Sequence, residues 1–335
     1  MCKALFSYLL FLILFSQLNA QSNPQKFLFT GYTQGTTYAV TYYASHEFVA
    51  QQQLDSILSV LDNSLSVYNK NSIISKFNNG LNAVVMDEHL KQVVQKAIYI
   101  NKQTRGIFDI TIGGLTKAWG FGADKVGALP DSNSITQLLR CKGNDNLFIK
   151  NNTLYKKKAC VQLDVNGIAQ GYSVDVLADF LHKKGIKNFL VEIGGELRVA
   201  GTKPEGELFT VGIEMPDSTG FAMPTSIKFI QLQNGAVTTS GSYRKFYESN
   251  GKKITHIIDA RNGWPATNEL ISVTVLAPNA ITADGYDNAI MVMGLEKGIA
   301  FVEQHKELAA FFIYKKPDGS TAYFATKQFL KLYKQ

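Results

Sequence analysis

The sequence predicts an α+β fold, with a mainly antiparallel sheet core flanked by helices. Segments with helical apolar spacing cluster early in the chain, while short strand-like runs dominate its middle. No internal repeat, low-complexity stretch or linker divides the 335 residues, and the 45% hydrophobic, 18% charged composition is that of a globular protein long enough to bury a large core.

Taken in order, residues 27–43 alternate apolar and β-branched positions around a tight turn at Gln34-Gly35-Thr36, a strand pair. From Glu47 to Tyr68, Phe48, Leu54, Ile57, Leu58, Leu61 and Leu65 keep a helical period. A short helix at Ser72–Phe77 stops at Asn78-Asn79-Gly80, and another helix spans about Glu88 to Gln103. A surface helix is expected at 131–140 and a hairpin of short strands at 146–163. The stretch 163–175 passes from a strand through Asn166-Gly167 into a helix, and 189–201 forms two strands broken at Gly194-Gly195. Further strands are expected at 208–214, 227–232, from 236 to a pivot at Ser240-Gly241, from 255 to Asp259, and at 271–277. A helix at about 296–305, a strand at 309–314 and a final strand with a helical tail close the chain.

Residues 1–20 read as a secretory signal. Lys3 provides the positive start, Leu5 to Phe15 the apolar core, and Ala20 a small residue before Gln21. The apolar run is short for a membrane span, which needs about 20 residues. Cys2 precedes that core, so it is not the acylated cysteine of a lipoprotein signal. The expected organisation is therefore a signal at 1–20 and one domain at 21–335, exported to the periplasm, free or associated with the inner membrane, with no stable membrane span after cleavage.

Removing the signal takes away Lys3 alone, lowering the formal charge from +7 to +6. That excess is modest, and no basic stripe interleaved with aromatics marks a nucleic-acid surface. Cys141 and Cys160 remain and are free to pair in an oxidising compartment, although their spacing does not demand it. With no CxxC and five scattered histidines, a zinc site is not expected.

Three stretches suggest chemistry. Residues 106–122, GIFDITIGGLTKAWGFG, hold five glycines with Phe108, Trp119 and Phe121, either a surface for a flat ligand or a loosened turn with its aromatics in the core. Strand, glycine turn and helix across 163–175 can offer backbone N–H groups to a phosphate, although neither a Walker pattern nor GxGxxG is present. In TADGYDNAI, Asp284, Asp287 and Asn288 fall on one face at the start of a helix if the following AIMVMG run is helical. Two carboxylates and an amide oxygen suit a hard cation such as Mg2+. An N-capped helix with solvated acids is the other reading.

Together these stretches resemble the ApbE family of FAD:protein FMN transferases, and the resemblance covers nearly the whole mature chain. It rests on YTQGTTY, LSVYNKNSIISKFN, FDITIGGLTKAWGFG, LDVNGIAQGYSVD, VEIGGELRVAG, TTSGSYRKFY, THIIDARNGWPA and TADGYDNAIMVMG, in that order. The resemblance implies the T-fold-like flavin transferase fold and a Mg2+ site made by Asp284, Asp287, Asn288 and the Gly167 carbonyl. It implies flavin contacts at Gln34, Tyr68, Ile107, Phe108, Asp109, Asp164, Gln170 and Ile258, with His256 and Asp284 in catalytic roles. The implied reaction moves FMN from FAD, the substrate, to a threonine or serine hydroxyl of an acceptor flavoprotein subunit and releases AMP. Alternatives are a metal-dependent FAD pyrophosphatase giving AMP and FMN, and a non-catalytic FAD carrier. Three positions depart from the usual family pattern: Gln34 stands for a frequent methionine, Asn288 for threonine, and Gln170 for an often charged residue. These departures bear on flavin retention more than on activity.

Overall fold

The computed structural model describes residues 24–123, 128–215, 226–243, 246–249 and 252–333; the expected signal at 1–20 lies outside them. Its frame is an eight-stranded sheet in the order β1 (Gln25–Thr33), β2 (Thr36–Ala44), β6 (Asn188–Ile193), β7 (Glu196–Ala200), β10 (Gly235–Gly241), β13 (Leu270–Ala277), β14 (Ala309–Lys315) and β15 (Thr321–Ala325). Every neighbouring pair in it is antiparallel. The first hairpin closes through Gln34 and Gly35 at φ of 51° and 76°, the left-handed pair that matches a two-residue turn to the twist of its strands.

The two faces of this sheet bury different partners. Val273, Val275, Ala310 and Phe312 point to one side, against the helices α1 (Gln51–Leu65), α3 (Glu88–Gln103), α6 (Ala169–Lys183) and α7 (Ala280–Met293). Ile271, Ala309, Phe311 and Ile313 point to the other, onto the hairpin of β8 (Phe209–Met215) and β9 (Ser226–Leu232) and onto Phe329. Side chains alternate between faces along a strand, so burial on both sides makes β14 open as an unbroken apolar run, whereas β13 buries Ser272 and Thr274 among its apolar residues. Fully burying one such side chain contributes about 1.5–3 kcal/mol.

A smaller cluster of Leu115, Trp119, Ile135, Ile254 and Ile258 packs α4 (Gly113–Ala118) and α5 (Ser132–Leu139) beside β12 (Lys252–Thr255). The Trp119 indole donates to the Gly263 carbonyl at 2.8 Å, and a Cys141–Cys160 disulfide closes the neighbouring loop.

Several local expectations shift. The hairpin of β4 (Leu147–Lys150) and β5 (Thr153–Lys156) gains a third strand, β3 (Ala83–Val85), too short to carry a period-2 signal. The strand expected to open 163–175 is only an isolated bridge between Ile112 and Gln162. Likewise β12 ends at Thr255, and 256–266 is a loop holding one Ile258–Pro265 bridge. The glycine-rich stretch 106–122 contains α4, which the glycines concealed.

Candidate active site

The site is built where the starts of α6 and α7 meet. Helix α7 is buried on nearly every side, which explains its even apolar content. Its first N–H groups are all satisfied: those of Ala280 and Ile281 by the two oxygens of Asp175 at 2.9 Å each, and that of Thr282 by the Asn279 side chain at 3.2 Å. Asn279 is the N-cap, so Asp284 lies in the second turn and not at the start of the helix. Both aspartates are buried, Asp284 to 4% exposure and Asp287 to 1%, which excludes the reading of solvated acids at a helix start.

Four oxygens converge there. The Asn288 side-chain amide lies 2.9 Å from Asp287 Oδ1, 3.3 Å from Asp284 Oδ1, 3.0 Å from the Asp284 carbonyl and 3.5 Å from the Gly167 carbonyl. The second Asp284 oxygen accepts from the Gly171 N–H at 2.9 Å, and the second Asp287 oxygen accepts from the Thr238 hydroxyl at 2.6 Å. Both carboxylates are therefore fixed in rotation, each with one oxygen turned inward. Gly171 permits this approach, because a Cβ there would overlap the Ala280 carbonyl and lie 2.7 Å from Asp284 Cβ.

Burial pushes the Asp284 carboxyl up to about 7, against the Gly171 hydrogen bond, with the Asp175 charge adding to the rise. Burial also lifts Asp287 well above the carboxylate range, and the nearby Asp284 charge lifts it further. Two like charges held close and out of water favour the neutral form unless a cation joins them. Among the described residues no three Asp, Glu, His or Cys side chains form a metal cluster, so the carboxylate pair depends on neutral oxygens to complete a ligand set. The Gly167 carbonyl and the Asn288 amide supply such groups. In this structure the amide turns its NH2 to the convergent oxygens, and its Oδ1 accepts from Ser240 at 3.5 Å. The donor set is all oxygen once that amide is reversed, the chemistry a hard cation prefers.

The acids open onto a cavity of about 240 Å³. Tyr68, Ile107, Phe108, Asp109, Asp164, Gly167, Gln170, His256 and Ile258 line it together with Asp284, Asp287 and Asn288, so the structure gathers nearly all of the residues expected from sequence. Gln34 stands apart from this lining and donates to the Ser173 hydroxyl on α6 at 2.7 Å. Asp109 is buried, its Oδ1 taken by the Thr111 N–H and hydroxyl at 2.8 and 2.6 Å. Asp164 accepts from the Asn166 N–H at 2.9 Å and donates its own N–H to the Ile110 carbonyl at 2.7 Å, which ties both glycine-rich loops together. The Gln170 amide donates to the Ile193 carbonyl at 3.0 Å. Tyr68 is 58% exposed at the rim, and the His256 ring meets Phe121 edge-on at 6.2 Å.

Sequence reasoning gave no site role to Glu196, Thr239 or Ser240, which also line the cavity, or to Thr238, which orients Asp287. The runs VEIGGELRVAG and TTSGSYRKFY were the available signal, but neither has a spacing that assigns a role to one side chain.

Comparison with known proteins follows the same lines. The model of the ApbE family matches residues 34–312. A curated relative from Vibrio cholerae, named FAD:protein FMN transferase, is 34% identical over 301 residues, 88% of this chain and 89% of that protein. One of the same name from Haemophilus influenzae is 33% identical over 311 residues, 89% of this chain and 88% of that protein. Among solved structures, the flavin transferase ApbE from Vibrio cholerae superposes with a TM-score of 0.82 at 32% identity, covering 92% of this chain and 99% of that one. The apo flavinyl transferase ApbE of Pseudomonas stutzeri gives 0.83 at 33% identity, covering 93% and 98%.

Proposed function

The chain belongs to the ApbE family, and from that premise we propose that it transfers FMN from FAD to a threonine or serine hydroxyl of an acceptor protein, releasing AMP. Flavin transfer is the activity in the names of its relatives. The observation that carries the reading to this chain is the convergence of buried Asp284, Asp287 and Gly167 oxygens at one end of a cavity walled by the glycine-rich loops.

In the proposed step the acceptor hydroxyl oxygen bonds to the FMN-side phosphorus of FAD. The P–O bond to the AMP-side phosphate breaks, and AMP leaves with the bridging oxygen. The reaction is phosphoryl transfer, so positioning and charge neutralisation carry most of the rate. Asp284, Asp287, Asn288 and the Gly167 carbonyl would hold a divalent cation, which we propose to be Mg2+. When bound it supplies positive charge to the diphosphate oxygens. His256 lines the cavity, which supports a role as the base that would take the proton of the acceptor hydroxyl. Tyr68, Ile107, Phe108 and Ile258 offer apolar surface to a flavin ring, while Asp109, Asp164 and Gln170 offer polar groups.

Export to the periplasm belongs to the same proposal. The apolar run of residues 5–15 supports it, as does the Cys141–Cys160 disulfide, a bond that persists in oxidising compartments. No helix of the described residues is long and apolar enough to cross a membrane.

The test incubates the protein with FAD, Mg2+ and an acceptor subunit. It reads the mass gain of one FMN on the acceptor together with AMP release. AMP without acceptor labelling would assign a pyrophosphatase, and tight flavin binding with no AMP a carrier. Asp284→Ala is expected to abolish transfer in a folded protein; full activity in that variant would remove the metal from the account.

A further inference from the structure

We propose that Asp175 is a positioning residue for the cation site, an inference that rests on the metal reading above. Asp175 lies on α6, is buried, and is not among the residues that line the cavity. Its two oxygens instead accept the N–H groups of Ala280 and Ile281, the first two of α7, at 2.9 Å each. Those groups have no intrahelical partner, so a buried helix start must find acceptors elsewhere. The guanidinium of Arg198, on β7, donates to the same carboxylate at 3.0 Å and also reaches Asp179 at 3.0 Å. Asp175 is thus held from the sheet side and holds α7 in turn.

The consequence is geometric. Asp284 and Asp287 follow Ala280 by four and seven residues on one continuous helix, so any axial slip of that helix carries both carboxylates with it. A cation site tolerates errors of about 0.2 Å in ligand distance, whereas one residue of helical slip is about 1.5 Å. Gly171, one turn before Asp175 on α6, donates to Asp284 at 2.9 Å, so the same helix fixes both the height of α7 and the rotation of its first ligand. Asp179 shares Arg198 but makes no bond to α7, which supplies an internal control.

The experiment measures Mn2+ binding to purified, flavin-free protein by the loss of the free-ion electron paramagnetic resonance signal, alongside FMN transfer at rising Mn2+. Asp175→Asn is expected to raise the Mn2+ Kd by about tenfold or more, the scale of outer-sphere substitutions at metal sites. Its transfer rate is expected to recover at saturating Mn2+, so the metal KM moves and kcat does not. Asp175→Glu keeps the charge but displaces it by a methylene, and is expected to weaken binding as well. Asp179→Asn is expected to stay within about threefold of the parent, the scale of an exposed ion pair. Wild-type affinity in folded Asp175→Asn would overturn the proposal. So would full affinity in Asp175→Glu beside loss in Asp175→Asn, because charge alone would then explain the effect. If neither variant at 175 folds, Arg198→Met decides, with weaker Mn2+ binding expected and unchanged binding overturning the role. A parent protein that takes up no Mn2+ would instead refute the metal reading itself.

Discussion

Asp175 and Asp284 each cap the helix that carries the other. Asp175 on α6 receives the first N–H groups of α7 at 2.9 Å, and Asp284 on α7 receives the Gly171 N–H in the first turn of α6, also at 2.9 Å. Two helix starts, each with a positive end to satisfy, are joined by two carboxylates. The inward oxygen of Asp284 is left facing Asp287 and the Gly167 carbonyl.

Gly171 has no room for a side chain. Gly171→Ala would press a methyl into the Ala280 carbonyl and Asp284 Cβ. Overpacking of this kind costs about 1–3 kcal/mol, so the melting temperature is expected to fall. Mg2+ protection against unfolding is expected to shrink with it, as thermal melts with and without the ion will show. An alanine variant with the parent's melt and ion response would mean the helices part freely.

Thr238 is fully buried and spends its hydroxyl on Asp287 at 2.6 Å. Thr238→Val keeps the shape and leaves a carboxylate oxygen without its donor, a loss of about 1–3 kcal/mol. Transfer at low Mg2+ is expected to fall about tenfold or more, with partial recovery at high Mg2+. Rates unchanged across a Mg2+ titration would show that Asp287 does not need this orientation.

Stability of the cation-free protein is expected to fall as pH rises. Burial pushes Asp284 up to about 7 and Asp287 well above the carboxylate range, the Asp284 charge contributing to the latter. In the unfolded chain such groups titrate at about 3.9. Between these values the folded state holds more protons than the unfolded state, so each rise in pH favours unfolding. Under the proposed metal site, saturating Mg2+ would replace the protons, so its stabilising effect is expected to be larger at pH 8 than at pH 5. Calorimetry at both values checks this, and an equal Mg2+ effect at the two would contradict it.

The disulfide lies beside the cavity wall that carries Asp109 and Asp164. Cys160 lies four residues before Asp164, and just after Cys141 the Gly143 N–H donates at 2.6 Å to the Thr111 hydroxyl, which in turn bonds Asp109. Cross-links over loops of this size contribute about 3 kcal/mol. Cys160→Ser is expected to lower the melting temperature by several degrees and raise the KM for FAD with kcat little changed. A variant with the parent's KM would confine the bond to stability.

His256 tests the proton route. His256→Gln is expected to slow FMN transfer by about 100-fold or more while FAD binding, followed by flavin fluorescence, stays close to the parent's. Equal losses in binding and transfer would make the histidine a flavin contact and not a base.

Much of the frame is legible without coordinates. Helix α3 falls on the expected bounds, and the strand pairs at Gln34-Gly35 and Gly194-Gly195 follow from alternation and turn residues. The spacing of Asp284, Asp287 and Asn288 already places them on one helical face. Local pattern reports periodicity and chain reversal, and these are properties of neighbours in sequence. The apolar run after Asn288 suggested that the acids open the helix, whereas Asn279 caps it five residues before Asp284.

What the tertiary structure decided is which distant group answers each polar one. Asp175 and Ala280 are 105 residues apart, Gly171 and Asp284 are 113, and Thr238 and Asp287 are 49. No period in the sequence links such pairs, because their contact exists only after the helices have packed on the sheet. Burial of the two acids has the same origin. The chain alone supplies the carboxylates, and packing removes the water that would have kept them ordinary surface acids.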